Sequence, residues 1–250
     1  MFATLNPDVP QDASRAVAPV SVAGSPYQFK ETDPHSSHSV MLSLLPQIGN
    51  GMVLDVGAAH GYMAAALRGR GFRVTGIEAD PVLAREAANY CEEVFVVDLD
   101  GPLPELKCEF DVILYGDVLE HLKNPLTVLR SLNRSLGPEG IALISLPNVA
   151  NIYVRLQLLM GRFDYGDRGI LDRTHLHFFT RRSFRNFLDD AGLDVVHFTA
   201  TPIPLPMVVP PRFHGWALSI AHGFNAWLSR RWQTLFGYQF VAVTRKRSSA

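Results

Sequence analysis

From Met52 to Leu146, short and almost wholly apolar runs alternate with helical patterns, and this alternation leaves few folds open. Strands are predicted at "MVLDVG", "RVTGIEA", "EVFVVD", "FDVILYG" and "GIALISL", and helices at Tyr62–Arg70, Pro81–Cys91 and Pro125–Leu136. Strands apolar at nearly every position are covered on both faces, as in a parallel sheet with helices above and below. Right-handed crossovers then give a doubly wound α/β sheet, with ligands at the carboxyl ends of the strands. Beyond "SLPN" the pattern loosens. A helix is predicted over "NIYVRLQLLMGRF" and a loop over "DYGDRGILDRTHLHFF". A Thr-capped helix over "TRRSFRNFLDDAGL" stops at Gly192, and two further strands lie at "DVVHFTA" and "GYQFVAVTRK".

A chain of 250 residues can bury a full core and is expected to form a single domain over 27–250. Residues 1–26 are rich in Ala, Ser, Pro and Val without periodicity, and disorder is expected there. A lid helix is expected within 27–50, with Asp33 as N-cap, Pro34 at the first helical position and Val40, Leu44 and Leu45 as its apolar stripe. Residues 201–237 form an insertion before the final strand.

Hydrophobic content of 47% with 19% charged residues is that of a soluble globular protein. A formal net charge of −1 argues against a nucleic-acid partner while leaving room for a local basic patch. Cys91 and Cys108 show neither metal-ligand spacing nor a disulfide framework, which favours a reducing compartment. The first residues lack a cationic run and carry Asp8 and Asp12, unlike a signal peptide, and no uncharged apolar run would span a bilayer. A cytoplasmic location is expected.

"VLDVGAAHGYMAAAL" reads as a strand, a glycine-bearing turn and a helix. Gly57 and Gly61 are separated by three residues, which matches neither the dinucleotide fingerprint nor a phosphate-binding loop ending in Gly-Lys. Ala59 stands where a glycine would admit a pyrophosphate, and no Lys or Arg appears before Arg68. A nucleotide without phosphates therefore fits better than NAD or ATP, and S-adenosylmethionine is such a ligand. Glu78, at the end of the second strand, is placed to accept both ribose hydroxyls. Asp98 ends the third strand, within reach of an adenine amino group, and Asp55 ends the first, facing the methionine ammonium. The competing reading is that strand-end acids only cap helices, as Asp80 does before Pro81.

In order and spacing, "VLDVGAAHG", "VTGIEAD", "VVDLD" and "FDVILYGDVLEHLKNP" resemble the motifs of class I S-adenosylmethionine-dependent methyltransferases. The likeness extends to the bacterial group that includes ubiquinone-pathway O-methyltransferases and methyltransferases encoded beside glycosyltransferases. "SLPNVAN" and "GILDRTHLHFFTRRSF" are similar to that group's later blocks. The resemblance runs from about Phe29 to Leu193, with Ala59 departing from the usual middle glycine. It implies a Rossmann-like methyltransferase fold, a seven-stranded, mostly parallel sheet with the last strand antiparallel. It further implies that the backbone of Gly57, Ala58 and Gly61 holds the methionine moiety, with Asp55 close by. Glu78 and Ala79 would hold the ribose and Asp98 and Leu99 the adenine, with Tyr115 and Gly116 near the amino group. The implied reaction is O-methylation of a hydroxylated small molecule, sugar or lipid-linked intermediate. N- or C-methylation of a natural-product type of substrate and a catalytically silent S-adenosylmethionine-binding module are the alternatives; a nicotinamide oxidoreductase would need a phosphate-friendly turn.

"GDVLEHL" carries the sharper chemistry. If Asp117 opens a helix, Glu120 and His121 follow three and four positions on and project to one side. His175 and His177 in "THLHFF" share a face if that segment is extended. Two carboxylates and an imidazole suit Mg²⁺, Mn²⁺ or Zn²⁺. The arrangement resembles the metal-dependent methyltransferases that modify the terminal 2′-hydroxyl of small RNAs, and on that match Asp117, Glu120, His121 and His175 are the ligands. Without a metal, His121 or His175 would serve as general base beside Asp117. The bland alternative makes Asp117 an N-cap, Glu120 a solvated helix residue and His121 a packed histidine.

His35 and His38 are expected to be exposed residues of the lid. In the insertion, Trp216, Ile220, Phe224, Trp227 or Leu228, and Trp232 form a helical stripe with Arg230 and Arg231 nearby. Such a stripe is expected to dock on the core or on a second copy in a homodimer. The alternative is an interfacial helix over 213–236 at a membrane surface, serving a lipid-linked acceptor. "RGILDRTHLHFF" and the insertion are expected to line the acceptor pocket.

Overall fold

The structure, a computed structural model, describes residues 4–5 and 33–247. Its strands are β1 (Thr4–Leu5), β2 (Met52–Val56), β3 (Arg73–Glu78), β4 (Glu93–Val96), β5 (Phe110–Gly116), β6 (Leu136–Pro147), β7 (Leu193–Thr201) and β8 (Gln239–Lys246). They form one sheet in the order β1-β4-β3-β2-β5-β6-β8-β7. The run from β4 to β6 is parallel, and β8 lies antiparallel between β6 and β7. The expected seven-stranded sheet with a reversed last strand is therefore present. The two-residue β1 adds an antiparallel edge, Thr4 opposite Phe95 and Leu5 opposite Val94. Apart from those two residues, the disorder expected over 1–26 lies outside the described residues.

The helices are α1 (Ser37–Ser43), α2 (Tyr62–Arg68), α3 (Pro81–Ala87), α4 (Pro125–Leu132), α5 (Ile152–Leu159), α6 (Arg181–Asp190), α7 (Leu205–Val208), α8 (Trp216–Arg231) and α9 (Gln233–Phe236). Strand alternation divides the core in two. Leu54 and Val56 of β2 face a layer with Val128 and Leu129 of α4 and Phe184 and Leu188 of α6. Val53 faces the opposite layer, with Met41 of α1, Met63 and Leu67 of α2, and Ala84 and Ala87 of α3. Each such large apolar side chain contributes roughly 1.5–3 kcal/mol by leaving water. The helix starts follow local chemistry: Asp80 accepts from Val82 N at 2.7 Å ahead of Pro81, and Thr180 and Ser183 form a reciprocal capping box.

Several boundaries differ from expectation. α1 begins at Ser37, not at Pro34, because Ser36 caps it by accepting from Ser39 N at 3.2 Å. Asp33 is occupied elsewhere: its Oδ1 accepts from His35 N at 2.9 Å and lies 3.0 Å from His222 Nε2. α3 ends at Ala87 and α4 at Leu132, the latter followed by a 3-10 turn over Asn133–Ser135. β6 starts at Leu136, ahead of "GIALISL", because Leu136 pairs with Phe110 before a register shift.

The insertion also corrects an expectation. The stripe of α8 does not dock on the core: Trp216 is 79% and Trp227 53% exposed, with Ile220 and Phe224 exposed between them. The inward face carries His222, Ala226 and Ser229 instead. These small or polar groups find partners there, His222 with Asp33 and Ser229 Oγ with the carbonyls of Asn225 and Phe236.

Gly61 links turn and helix packing. Its φ of +78° is left-handed, and a Cβ there would sit 2.7 Å from Ala87 Cα. Gly61→Ala is expected to cost about 1–3 kcal/mol or more, read as a lower urea midpoint at unchanged slope. An unshifted midpoint would show that α3 moves aside freely.

Candidate functional site

Three of five residues in the turn after β2 are left-handed: Gly57 (φ +76°), Ala59 (φ +47°) and Gly61 (φ +78°). Gly57 N and Ala58 N both donate to Ile77 O, at 2.8 and 3.0 Å, tying the turn to β3. Glu78 completes the tie, Oε2 accepting from Ala59 N at 2.8 Å and Oε1 from Asp80 N at 2.9 Å. A side chain on Gly57 would strike Val118. The turn thus presents bare backbone, and Asp55, Gly57, Ala58, His38, Tyr62 and Gly116 line a pocket around it.

Asp55 is 4% exposed, and no hydrogen bond reaches its Oδ2 among the described residues. Burial, and then the charge of Glu78, push its pKa up to about 7. Asp98 is exposed, its Oδ1 accepting from Asp100 N at 2.9 Å, while the neighbouring Leu99 is buried. Ala79 is exposed beside Glu78. The Tyr115 side chain does not face this pocket; it is fully buried, and its hydroxyl donates to Asn133 Oδ1 at 2.9 Å. Strand alternation sends Tyr115 into the opposite layer and leaves only its backbone beside Gly116. His38, expected to be exposed, is buried, with its ring centroid 5.1 Å from that of Tyr62.

The second cluster follows β5. Asp117 does not cap a helix: its φ is +56°, and a 3-10 turn over Leu119–His121 follows. Asp117 Oδ1 accepts from Ser145 Oγ at 2.5 Å and Oδ2 from Ser37 Oγ at 3.4 Å, so the carboxylate faces β6 and α1. Glu120 is not a solvated helix residue. It is 0% exposed, and neither carboxyl oxygen has a hydrogen-bond partner among the described residues. Burial, and then Asp117, push its pKa well above the carboxylate range. Its carbonyl accepts from Leu176 N at 2.8 Å and His177 N at 3.1 Å, pinning the "THLHFF" segment against the 3-10 turn.

That pinning brings His175 in, with Nε2 4.0 Å from Glu120 Oε1. His175 Nδ1 is 3.1 Å from the Ile170 carbonyl, to which it donates, leaving Nε2 with the lone pair. His121 is poised alike. Thr174 Oγ1 donates to Asp172 Oδ1 at 2.6 Å and accepts from His121 Nδ1 at 3.0 Å, so the open nitrogen is again Nε2. The two rings lie 4.7 Å apart, and one ligand atom each from Glu120, His121 and His175 falls within 4.8 Å of the others. Burial, and then His121, lower the His175 pKa and favour the neutral imidazole. Asp117 lies outside this group, and His177 turns its Nε2 to the Lys123 carbonyl at 3.4 Å. Two open imidazole nitrogens beside a buried carboxyl can hold a divalent cation or accept a proton. Sequence reasoning missed Asp172 and Thr174; the only trace was an Asp two positions before a Thr, which here accepts from Thr174 N at 2.8 Å.

Residues 34–198 match the family described as a methyltransferase domain. The chain belongs to that family. The resemblance read from the motifs is borne out at this level. Among curated relatives, the ubiquinone biosynthesis O-methyltransferase of Rickettsia canadensis is 29% identical over 149 residues, 57% of this chain and 62% of that protein. The Rickettsia felis protein of the same name is 34% identical over 100 residues, 41% of its length. The chain thus spans less than two thirds of the length of these relatives. Among solved structures, a S-adenosylmethionine-dependent methyltransferase from Archaeoglobus fulgidus superposes with a TM-score of 0.57 at 16% identity, covering 86% of this chain and 97% of that one. That likeness shows the fold.

Because the fold favours protonated Asp55, its stabilising contribution is complete below about pH 4 and is lost as the pH rises through about 7. Asp55→Asn is expected to flatten the pH dependence of denaturant stability across that window. Glu120 contributes a residual slope in the same direction. A variant as steeply pH-dependent as the parent would place the Asp55 carboxyl in its ordinary range.

Proposed function

We propose that this methyltransferase-family chain transfers a methyl group from S-adenosylmethionine to the hydroxyl of a small molecule, sugar or lipid-linked acceptor. The observation that carries the proposal is the buried, unpartnered Oδ2 of Asp55 beside a bare glycine turn, at the same carboxyl-end edge of the sheet as the Glu120–His121–His175 group. A donor ammonium supplies the positive partner that Asp55 Oδ2 lacks. Glu78 spends one lone pair per oxygen on backbone N–H groups and keeps the others for ribose hydroxyls. Ala79, Asp98 and Leu99 border the adenine, and the backbone of Gly57, Ala58, Gly61 and Gly116 borders the methionine moiety.

In the transfer, the acceptor oxygen attacks the methyl carbon in line as the carbon–sulfur bond breaks, S-adenosylhomocysteine leaves, and the hydroxyl proton must be taken up. The Nε2 of His121 or His175 is the base for that proton. Ile170 holds His175 in the required tautomer, and Thr174 backed by Asp172 holds His121. The orphaned Glu120 carboxyl favours a divalent cation as well, held by Glu120, His121 and His175. Such a cation supplies Lewis acidity that lowers the pKa of a bound hydroxyl. The named Rickettsia relatives support an oxygen acceptor over nitrogen or carbon. The outward stripe of α8, with Arg230 and Arg231 at its end, suits an interfacial position and a lipid-linked acceptor. No helix among the described residues is long and apolar enough to cross a membrane.

The test is transfer from radiolabelled S-adenosylmethionine into a cell extract, before and after dialysis against a chelator, with Mg²⁺ or Mn²⁺ restored. Activity should fall on chelation and return with the cation. Glu120→Gln and His175→Ala should lower kcat by about 10²-fold or more while S-adenosylhomocysteine still binds. Full activity after chelation would leave the histidines as bases and exclude the cation.

A further inference from the structure

A second cavity lies outside the site just described. It is an open cleft of about 390 Å³ between the starts of α5 and α6, lined by Arg155, Arg181, Arg182, Arg185, Thr180 and Asn186 among others. Among the described residues no carboxylate pairs with any of these four guanidiniums. Four arginines elsewhere pair with carboxylates, Arg73 with Glu92, Arg173 with Asp167, Arg245 with Glu139, and Arg247 with Asp189 and Asp194, whereas others such as Arg68, Arg70 and Arg130 bond to backbone carbonyls. What sets this cleft apart is that four guanidiniums line one opening. In a chain of net charge −1, so much uncompensated positive charge in one cleft is local by construction.

Three of the four charges have a fixed contact. Arg185 and Arg181 share one aromatic ring, their guanidinium carbons 4.8 and 5.6 Å from the centroid of Phe198. Across the cleft, Arg155 Nε donates to the Ala150 carbonyl at 2.7 Å, and its two terminal nitrogens have no hydrogen-bond partner among the described residues. Two guanidiniums held on one ring keep like charges on the same helix face, and a bound oxyanion would offset them. α6 also opposes its own dipole, with arginines in its first turn and Asp189 and Asp190 in its last. The planar fork of Arg matches phosphate oxygens, and four forks suit a group with more than one negative charge.

The cleft lies near the reacting edge. Thr180 follows His175 by five residues, so their backbones are no more than about 18 Å apart. Ala150 lies just past Pro147, the last residue of β6. We propose that this cleft binds the phosphate or diphosphate group of the acceptor, so that the compound methylated is a phosphorylated hydroxyl compound. The assignment to the acceptor rests on the methyl-transfer reading above; the anion site itself does not.

The experiment is calorimetric titration of the full chain, in metal-free buffer, with inorganic phosphate and pyrophosphate. S-adenosylhomocysteine binding serves as the fold check for each variant. Pyrophosphate should bind more tightly than phosphate. Arg181→Gln combined with Arg185→Gln should weaken it by at least about tenfold, as loss of charge-assisted pairs requires. Arg245→Gln, which breaks a surface pair elsewhere, should change nothing. If the double variant loses S-adenosylhomocysteine binding, Arg182→Gln alone is read in its place. Absence of pyrophosphate binding, or binding indifferent to these arginines, overturns the site. Arginine-dependent sedimentation with vesicles of phosphatidylcholine and phosphatidylglycerol, alongside pyrophosphate binding, assigns the phosphate to a lipid. Pyrophosphate binding without sedimentation assigns it to a soluble compound. Arginine-dependent binding to a single-stranded oligonucleotide in place of pyrophosphate overturns the acceptor assignment. Pyrophosphate binding in a protein that transfers no methyl group would sink the enzymatic reading and leave the anion site standing.

Discussion

The chain runs outward from β2 through β3 to β4, then returns to lay β5 on the other side of β2. At such a reversal the connections leaving two adjacent strands diverge and a crevice opens between them. Here the diverging segments begin at Gly57 and Asp117, and both have left-handed backbone. Ladder pairs such as Asp55 with Leu114 and Val56 with Tyr115 fix the two strand ends side by side. The glycine turn is aimed from one lip and the 3-10 turn carrying Glu120 and His121 from the other. Neither lip has a meaning without the pairing beneath it.

Both lips carry a buried carboxyl with oxygen that no hydrogen bond satisfies among the described residues, Oδ2 of Asp55 on one and both oxygens of Glu120 on the other. Desolvating a carboxyl without a partner is among the more costly things a fold can do. The surrounding structure over-determines the two positions: apolar strands hold Asp55, and the backbone of Leu176 and His177 clasps Glu120. Strained or desolvated groups kept at the mouth of a crevice are what a binding site requires and what a folding core avoids.

The sheet was legible because strands buried on both faces must be apolar throughout, and five such runs leave little choice of architecture. The glycine turn and the acids beside it were legible for the same local reason. Other features depended on partners distant in sequence. Asp33 resembles an N-cap, but His222, far along the chain, takes its carboxylate. Tyr115 sits next to Gly116 in the motif, yet the pleat turns its ring into the opposite core layer. Asp117 has the composition of a helix start, while Ser145 and Ser37 draw its side chain away from that role. The stripe of α8 was visible as a stripe, but periodicity cannot say whether the apolar face or the His222–Ala226–Ser229 face turns inward. The arginines at the start of α6 carried no signal of their own in the sequence, and only the fold brings Arg155 of α5 to the same cleft.

The place of β8 has a consequence for the order in which the molecule can come together. It is the last of these strands to be synthesised, yet it fills the gap between β6 and β7, both made earlier. Until it arrives, β6 has a bare flank and β7 has no strand to pair with. Closing that gap means bringing in a strand across the whole α7–α9 excursion, a long-range step that comes late and slowly. A nascent chain halted within that excursion would hold a finished donor-side half beside an open sheet edge, the state most prone to pairing with a copy of itself.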